Sequence, residues 1–136
     1  MKDQSIRYRF GKYEKLCSQK QIDFLFRQGK WEHGKTMKAV YCLLDTNTPS
    51  LPAILISVPK RSFKKAVLRN RIRRRIREAY RLNKQLIAET VVKSGKQLIA
   101  AFIFSLQNEE DYHVIEEDMK KLLQRIALRV SKRKSG

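Results

Sequence analysis

Apolar positions recur along this chain at two spacings, and the changes between them mark its elements. Between Ser18 and Gly29, Ile22, Leu25 and Phe26 repeat at helical intervals, with Phe24 off that face. Ser18 suits an N-cap because its hydroxyl can accept from a first-turn N–H, and Gly29 suits a stop. The run "KAVYCLL" at 38–44 is short, apolar and rich in strand formers; "AILISV" at 53–58 is another. The turn-rich link "DTNTPSLP" predicts that they form a hairpin. Pro59 closes the second strand, and Ser62 is placed to cap a helix over 63–88. "TVVKSGK" reads as a link. "QLIAAFIFSL" at 97–106 is almost purely apolar, which predicts a central strand buried on both faces. A last helix from about Asn108 carries Ile115, Met119, Leu122, Ile126 and Val130 on one stripe. Acidic residues gather at its start and Lys132, Arg133 and Lys134 at its end, which complements the helix dipole.

The predicted order is helix, strand, strand, helix, strand, helix. That order gives an α+β fold, a small mixed sheet covered by helices on one face. The 136 residues, 42% of them hydrophobic, suit a single domain spanning 1–136. Residues 1–17, basic and interleaved with Tyr8, Phe10 and Tyr13, read as an extended arm, and 131–136 as a frayed basic tail.

The helix over 63–88 is set apart by its charge. On a helical wheel, Leu68, Ile72, Ile76, Ala79 and Leu86 form the stripe that should meet the sheet. Asn70, Arg73, Arg74, Arg77 and Arg81 fall together on the opposite side, within about 100°. Arg69, Arg71 and Arg75 lie on the flanks. Solvated helix faces ordinarily mix signs at i,i+4, whereas Glu78 alone opposes this run. Arginine also outnumbers lysine here, and a planar guanidinium grips phosphate with two parallel hydrogen bonds. The chain as a whole has a formal net charge of +18. Such an excess concerns partners, and the partner it fits best is nucleic acid. The chain does not spell a helix-turn-helix, zinc finger or basic zipper. Aromatic residues beside basic ones suit stacking on unpaired RNA bases instead, although rings at helix or strand spacing also serve as core.

Other classes of chemistry lack residues. No apolar run approaches the ~20 residues of a membrane span, and the N-terminus has no hydrophobic signal core. A cytoplasmic protein with no membrane partner is expected. Cys17 and Cys42 are isolated and read as reduced thiols. His33 and His113 are isolated too, and neither is placed as a general base. The carboxylates of 109–118 sit at a helix start with no partner for a two-metal site. No catalytic side chain and no protein-held metal are therefore expected.

The run "ISVPKRSFKKAVLRNRIRRRIREAYRLNK" at 56–84 resembles the signature of the bacterial ribonuclease P protein family. The matching positions are Ser57, Val58, Lys60, Arg61, Lys64, Ala66, Val67, Arg69, Asn70, Arg71, Arg73, Arg74, Arg77, Glu78 and Ala79. "FGKYEKLCSQKQIDFLFRQGK" is similar to the family's N-terminal block through Phe10, Lys12, Glu14, Leu16, Phe26 and Gly29. The resemblance implies a fold like ribosomal protein S5 domain 2, with a left-handed crossover through the basic helix. It implies a catalytic RNA as partner and precursor tRNA as substrate. The complex would remove the 5′ leader by endonucleolytic cleavage that depends on Mg2+ held mainly by RNA and substrate. Lys60, Arg61, Lys64, Arg69, Asn70, Arg71, Arg73, Arg74, Arg77 and Arg81 would meet the catalytic RNA. Ile22, Phe26 and Tyr41 would line a cleft for the single-stranded leader. Ile22 stands where the family often has Phe, and an aliphatic side chain stacks poorly on a base. No obligate protein partner is evident.

Two other readings compete. A structural RNA-binding protein of ribosomal type would share the composition but take no part in cleavage. A peripheral membrane protein would need a stronger apolar face than Leu68, Ile72, Ile76 and Ala79, with aromatic anchors.

Overall fold

The apolar strand over 97–106 does take the centre. In a computed structural model, which describes residues 18–45 and 51–135 and side chains as far as 132, four strands form one mixed sheet. They are β1 (Lys30–His33), β2 (Met37–Asp45), β3 (Ala53–Ser57) and β4 (Lys96–Phe104), in the order β1-β2-β4-β3. The helices are α1 (Gln19–Gln28), α2 (Ala66–Asn83), α3 (Gln85–Ser94) and α4 (Tyr112–Ser135). The expected arm at 1–17 and most of the link at 45–52 lie outside the described residues.

The expected hairpin does not form. β4 inserts between β2 and β3, antiparallel to the first and parallel to the second. Leu98, Ile99, Ala100, Ala101 and Phe102 are all buried, so a strand that is apolar on both faces belongs where both faces are covered. Strand β1 was not foreseen. Its sequence, Lys-Trp-Glu-His, has no run of strand formers, and it holds its place as an antiparallel edge on β2.

The sheet is covered on both faces rather than one. On one side Met37, Ala39, Tyr41, Leu98, Ala100, Phe102 and Phe104 pack beneath α2, α3 and α4. Tyr80 meets Phe102 and Phe63 meets Phe104 at ring-centroid distances of 6.2 and 5.8 Å. All five residues of the predicted α4 stripe are buried there. On the other side Leu25 of α1 packs on Val40, Ala53, Ile99 and Ala101. The Ser18 hydroxyl accepts from the Gln21 N–H, so that cap is as expected.

Gly29 allows the chain to turn from α1 into β1 against β2. A Cβ there would lie 2.5 Å from the Leu25 carbonyl oxygen and 2.6 Å from Val40 Cγ2. Gly29→Ala is expected to cost about 1–3 kcal/mol, the usual range for overpacking. Urea denaturation reads this directly, and an unchanged midpoint would contradict so close an approach.

The basic helix is shorter than expected and is followed by a second one. Residues 59–63 form a turn in which the Ser62 and Phe63 N–H groups donate to the Pro59 carbonyl. Buried Phe63 anchors that turn in the core. Lys65 is therefore the N-cap of α2, without a side-chain bond, and Ser62 is not. At the far end Asn83 donates to the Ala79 carbonyl and to Glu116 of α4, and the helix breaks at Lys84. The expected link "TVVKSGK" is mostly helix. Ile87, Ala88 and Val91 of α3 are buried, and Gly95 ends the helix with φ 74°, the left-handed geometry that favours glycine. α4 begins at Tyr112, not near Asn108, and continues to Ser135 where a frayed tail was expected.

Candidate nucleic-acid interface

Packing sorts the basic residues of α2. Ile72, Ile76, Ala79 and Tyr80 are buried against the sheet and α4, while Asn70, Arg74 and Arg77 are exposed and Arg73 is half-exposed. Arg73 Nη1 donates to Asn70 Oδ1 at 2.7 Å, which holds its guanidinium along the helix. Arg74 and Arg77 make no hydrogen bond or ion pair with the described residues. Lys60, Arg61 and Lys64 are exposed on the turn leading into α2. Ala66 and Val67 are exposed as well, so the start of the helix is open to a close approach.

The flanking arginines are partly engaged within the protein. Arg69 Nη1 donates to the Phe63 and Lys64 carbonyls at 2.8 and 2.9 Å, clipping the turn to the helix. Arg71 reaches both oxygens of Glu109 at 3.1 and 3.2 Å. Arg75 pairs with Glu109 at 3.3 Å and donates to the Glu110 carbonyl at 2.8 Å. The acidic cluster expected to serve the α4 dipole thus fastens α4's leading loop to α2. Arg81 pairs with Glu78 at 2.6 Å, and that hydrogen bond holds the Glu78 carboxyl below its usual range and raises Arg81. Lys84 is buried at the α2–α3 junction and leaves the basic face. The Arg71 and Arg75 pairings were not legible, because they depend on a loop whose path the sequence does not state, whereas Glu78 and Arg81 pair at i,i+3 within α2.

A second feature lies on the α1 side of the sheet. Leu25 of α1 packs on Val40, Ala53, Ile99 and Ala101, and on the same face the row His33–Lys38–Ile103–Ser57 crosses all four strands with none of its residues fully buried. His33 is exposed in that row and the other three are half-buried. Phe26, 40% exposed, and Trp31, 39% exposed, stand beside it with ring centroids 6.1 Å apart. Lys38 Nζ lies over the Trp31 ring, 5.4 Å from its centroid. Immediately after Ser57 the chain enters the basic turn with Lys60 and Arg61, so the open row and the start of α2 share one end of the sheet.

Of the predicted cleft residues, Phe26 lies at this row and Ile22 packs half-buried against the α1 cluster. Tyr41 does not join them. It is only 2% exposed and points to the opposite face, among Met37, Ala39 and Phe102. Strand side chains alternate, so a register one residue out sends the ring to the other side. Val40 and Cys42 are the β2 residues that face α1. Trp31 and Lys38 were missed because β1 itself was missed.

These features belong to a known class of RNA-associated protein. A model of the ribonuclease P family matches residues 10–127. The chain is 36% identical over 118 residues to the ribonuclease P protein component of Porphyromonas gingivalis, covering 85% of each. It is 30% identical over 118 residues to that of Clostridium botulinum, covering 86% of this chain and 97% of the relative. Its fold is similar to the ribonuclease P protein from Thermotoga maritima, with a TM-score of 0.65 at 21% identity, covering 82% of this chain and 96% of that one. The chain belongs to the ribonuclease P protein family. Membership implies a role in tRNA 5′ processing, as the protein component of a ribonucleoprotein.

Proposed function

We propose that this protein binds the catalytic RNA of ribonuclease P and the 5′ leader of precursor tRNA, and so assists removal of the leader. The observation that carries this reading is the adjacency of two surfaces. An exposed arginine face on α2 lies at the same end of the sheet as an open row flanked by aromatic rings. Lys60, Arg61, Lys64, Asn70, Arg73, Arg74 and Arg77 meet the phosphates of the catalytic RNA, with Arg71 and Arg81 at the margin. Arg69 acts by holding the turn that presents Lys60, Arg61 and Lys64. The row between α1 and the strand ends takes the single-stranded leader beside Phe26, with Ile22 supporting α1 from below.

Cleavage chemistry resides in the RNA in this reading. A hard cation needs several converging oxygens, and four of the described carboxylates are already engaged. Asp118 accepts from backbone, Glu109 holds Arg71 and Arg75, and Glu78 and Glu32 pair with Arg81 and Arg129. Among the described residues no three His, Cys, Asp or Glu side chains are grouped to hold a metal. Magnesium is held by the phosphates of RNA and substrate in this reading, and the protein's part is to lower their mutual repulsion. The protein acts in the cytoplasm, and no described helix is long and apolar enough to cross a membrane.

The test is binding by the complex of protein and cognate RNA to precursor tRNA and to mature tRNA. Tighter binding of the precursor is expected. Equal affinity for both would favour a purely structural RNA-binding role.

A further inference from the structure

We infer that Trp31, on edge strand β1, is the residue on which a leader base stacks, and that Lys38 takes the adjoining phosphate. This rests on the leader-binding reading above and assigns within it a residue that the sequence motif does not contain. Trp31 lies opposite Val40 in the sheet register, yet Val40 is fully buried while the indole is left 39% exposed. An open tryptophan on an edge strand offers a large rigid plane at little entropic cost. Base–aromatic stacking uses just such planes and tolerates any sequence.

Several other positions on this face offer no plane. Ile22 and Val40 are aliphatic, and Tyr41 is turned into the opposite core. Phe26 and Trp31 are the exposed rings in mutual contact among the described residues. Their planes meet at 55°, a tilted contact in which the two rings are not stacked face to face. A nucleotide reaching this pair meets a ring and a cation together: the Lys38 ammonium lies over the indole, and its flexible stem lets it swing from the ring face to a phosphate as the base takes its place. Its phosphate pairs with Lys38 while its base takes the indole, with the Phe26 ring as side wall. From there the row through Ile103 to Ser57 leads toward Lys60 and Arg61, which gives the strand a basic path toward the RNA-binding helix.

Trp31 is the sole tryptophan of the chain, so its own fluorescence reports the contact. The complex of protein and cognate RNA is titrated with precursor tRNA and, separately, with mature tRNA. Quenching by the precursor and not by mature tRNA is expected. Trp31→Ala should weaken precursor binding about tenfold, within the range for losing one stacked base, and leave mature tRNA unaffected. Trp31→Phe should recover most of the loss. If Trp31→Ala folds poorly, the wild-type quenching still decides. Preference for the precursor without quenching, or with an unaffected Trp31→Ala, would overturn this assignment and leave the leader-binding reading intact. Equal quenching by both RNAs would place the stack on the tRNA body and overturn it as well. No preference for the precursor would overturn both.

Discussion

Asp118→Ala is expected to destabilise the protein by about 3–5 kcal/mol, since it strips buried donors of a charged acceptor. Asp118 projects from α4 into the turn between β1 and β2 and is only 5% exposed. Its carboxylate accepts from the N–H groups of Lys35, Thr36 and Met37 at 2.9, 2.7 and 3.2 Å, and from the Thr36 hydroxyl at 2.7 Å. Gly34 fits beneath it because a Cβ there would lie 2.5 Å from Oδ1. With Ala at 118, the Thr36 and Met37 N–H groups lose their partner where water reaches poorly, and the part-buried Lys35 N–H loses its own. For a chain of this size the melting temperature should fall by roughly 10 °C. The substitution also removes the latch on β1, and hence on Trp31. Chemical denaturation of the variant tests this, and a loss below about 1 kcal/mol would show that the turn stands without the carboxylate.

The second large effect is on binding and should leave the fold intact. Replacing Arg73, Arg74 and Arg77 together by Gln should weaken binding of the catalytic RNA by two orders of magnitude or so at moderate salt. These side chains face away from the core, and Arg74 and Arg77 have no described partner to lose. With about six phosphate contacts, the wild-type log–log salt slope should lie near −4 to −5, and the triple variant should lose about 2–3 of it. Relief of like-charge repulsion should keep the variant's melting temperature at or above that of the wild type. An unchanged slope would mean that α2 is not the face that meets phosphate. Arg69 should behave differently, since its loss releases the turn as well as a charge.

These two cases show what could be read from the residues and what could not. The α2 face was legible because apolar and basic positions separate at helical period, and the burial of Ile72, Ile76 and Ala79 follows that separation. The α4 stripe was legible for the same reason, and the central place of β4 because its run is apolar on both faces. The sheet order was not, because β2 and β3 are near in sequence and only the more apolar β4 competes for the place between them. The break at Lys84 was hidden because Asn83 finds a partner, Glu116, that is distant in sequence. The aromatic part of the candidate site was half legible. Phe26 carried the helical signal, but Tyr41 fails by a single step of strand alternation, and Trp31 sits on a four-residue strand with no pattern of its own. Asp118 looked like one acid among several near a helix start, and nothing local distinguishes the one that closes a turn.

The central claim is that this chain lends charge and substrate grip to an RNA catalyst. Its most direct test is cleavage of precursor tRNA by the protein alone, the cognate RNA alone and the two together, across a magnesium series. The account predicts no cleavage by the protein alone, and cleavage by the pair at magnesium concentrations where the RNA alone is slow. Cleavage by the protein alone, or no gain from adding it at low magnesium, would contradict the account.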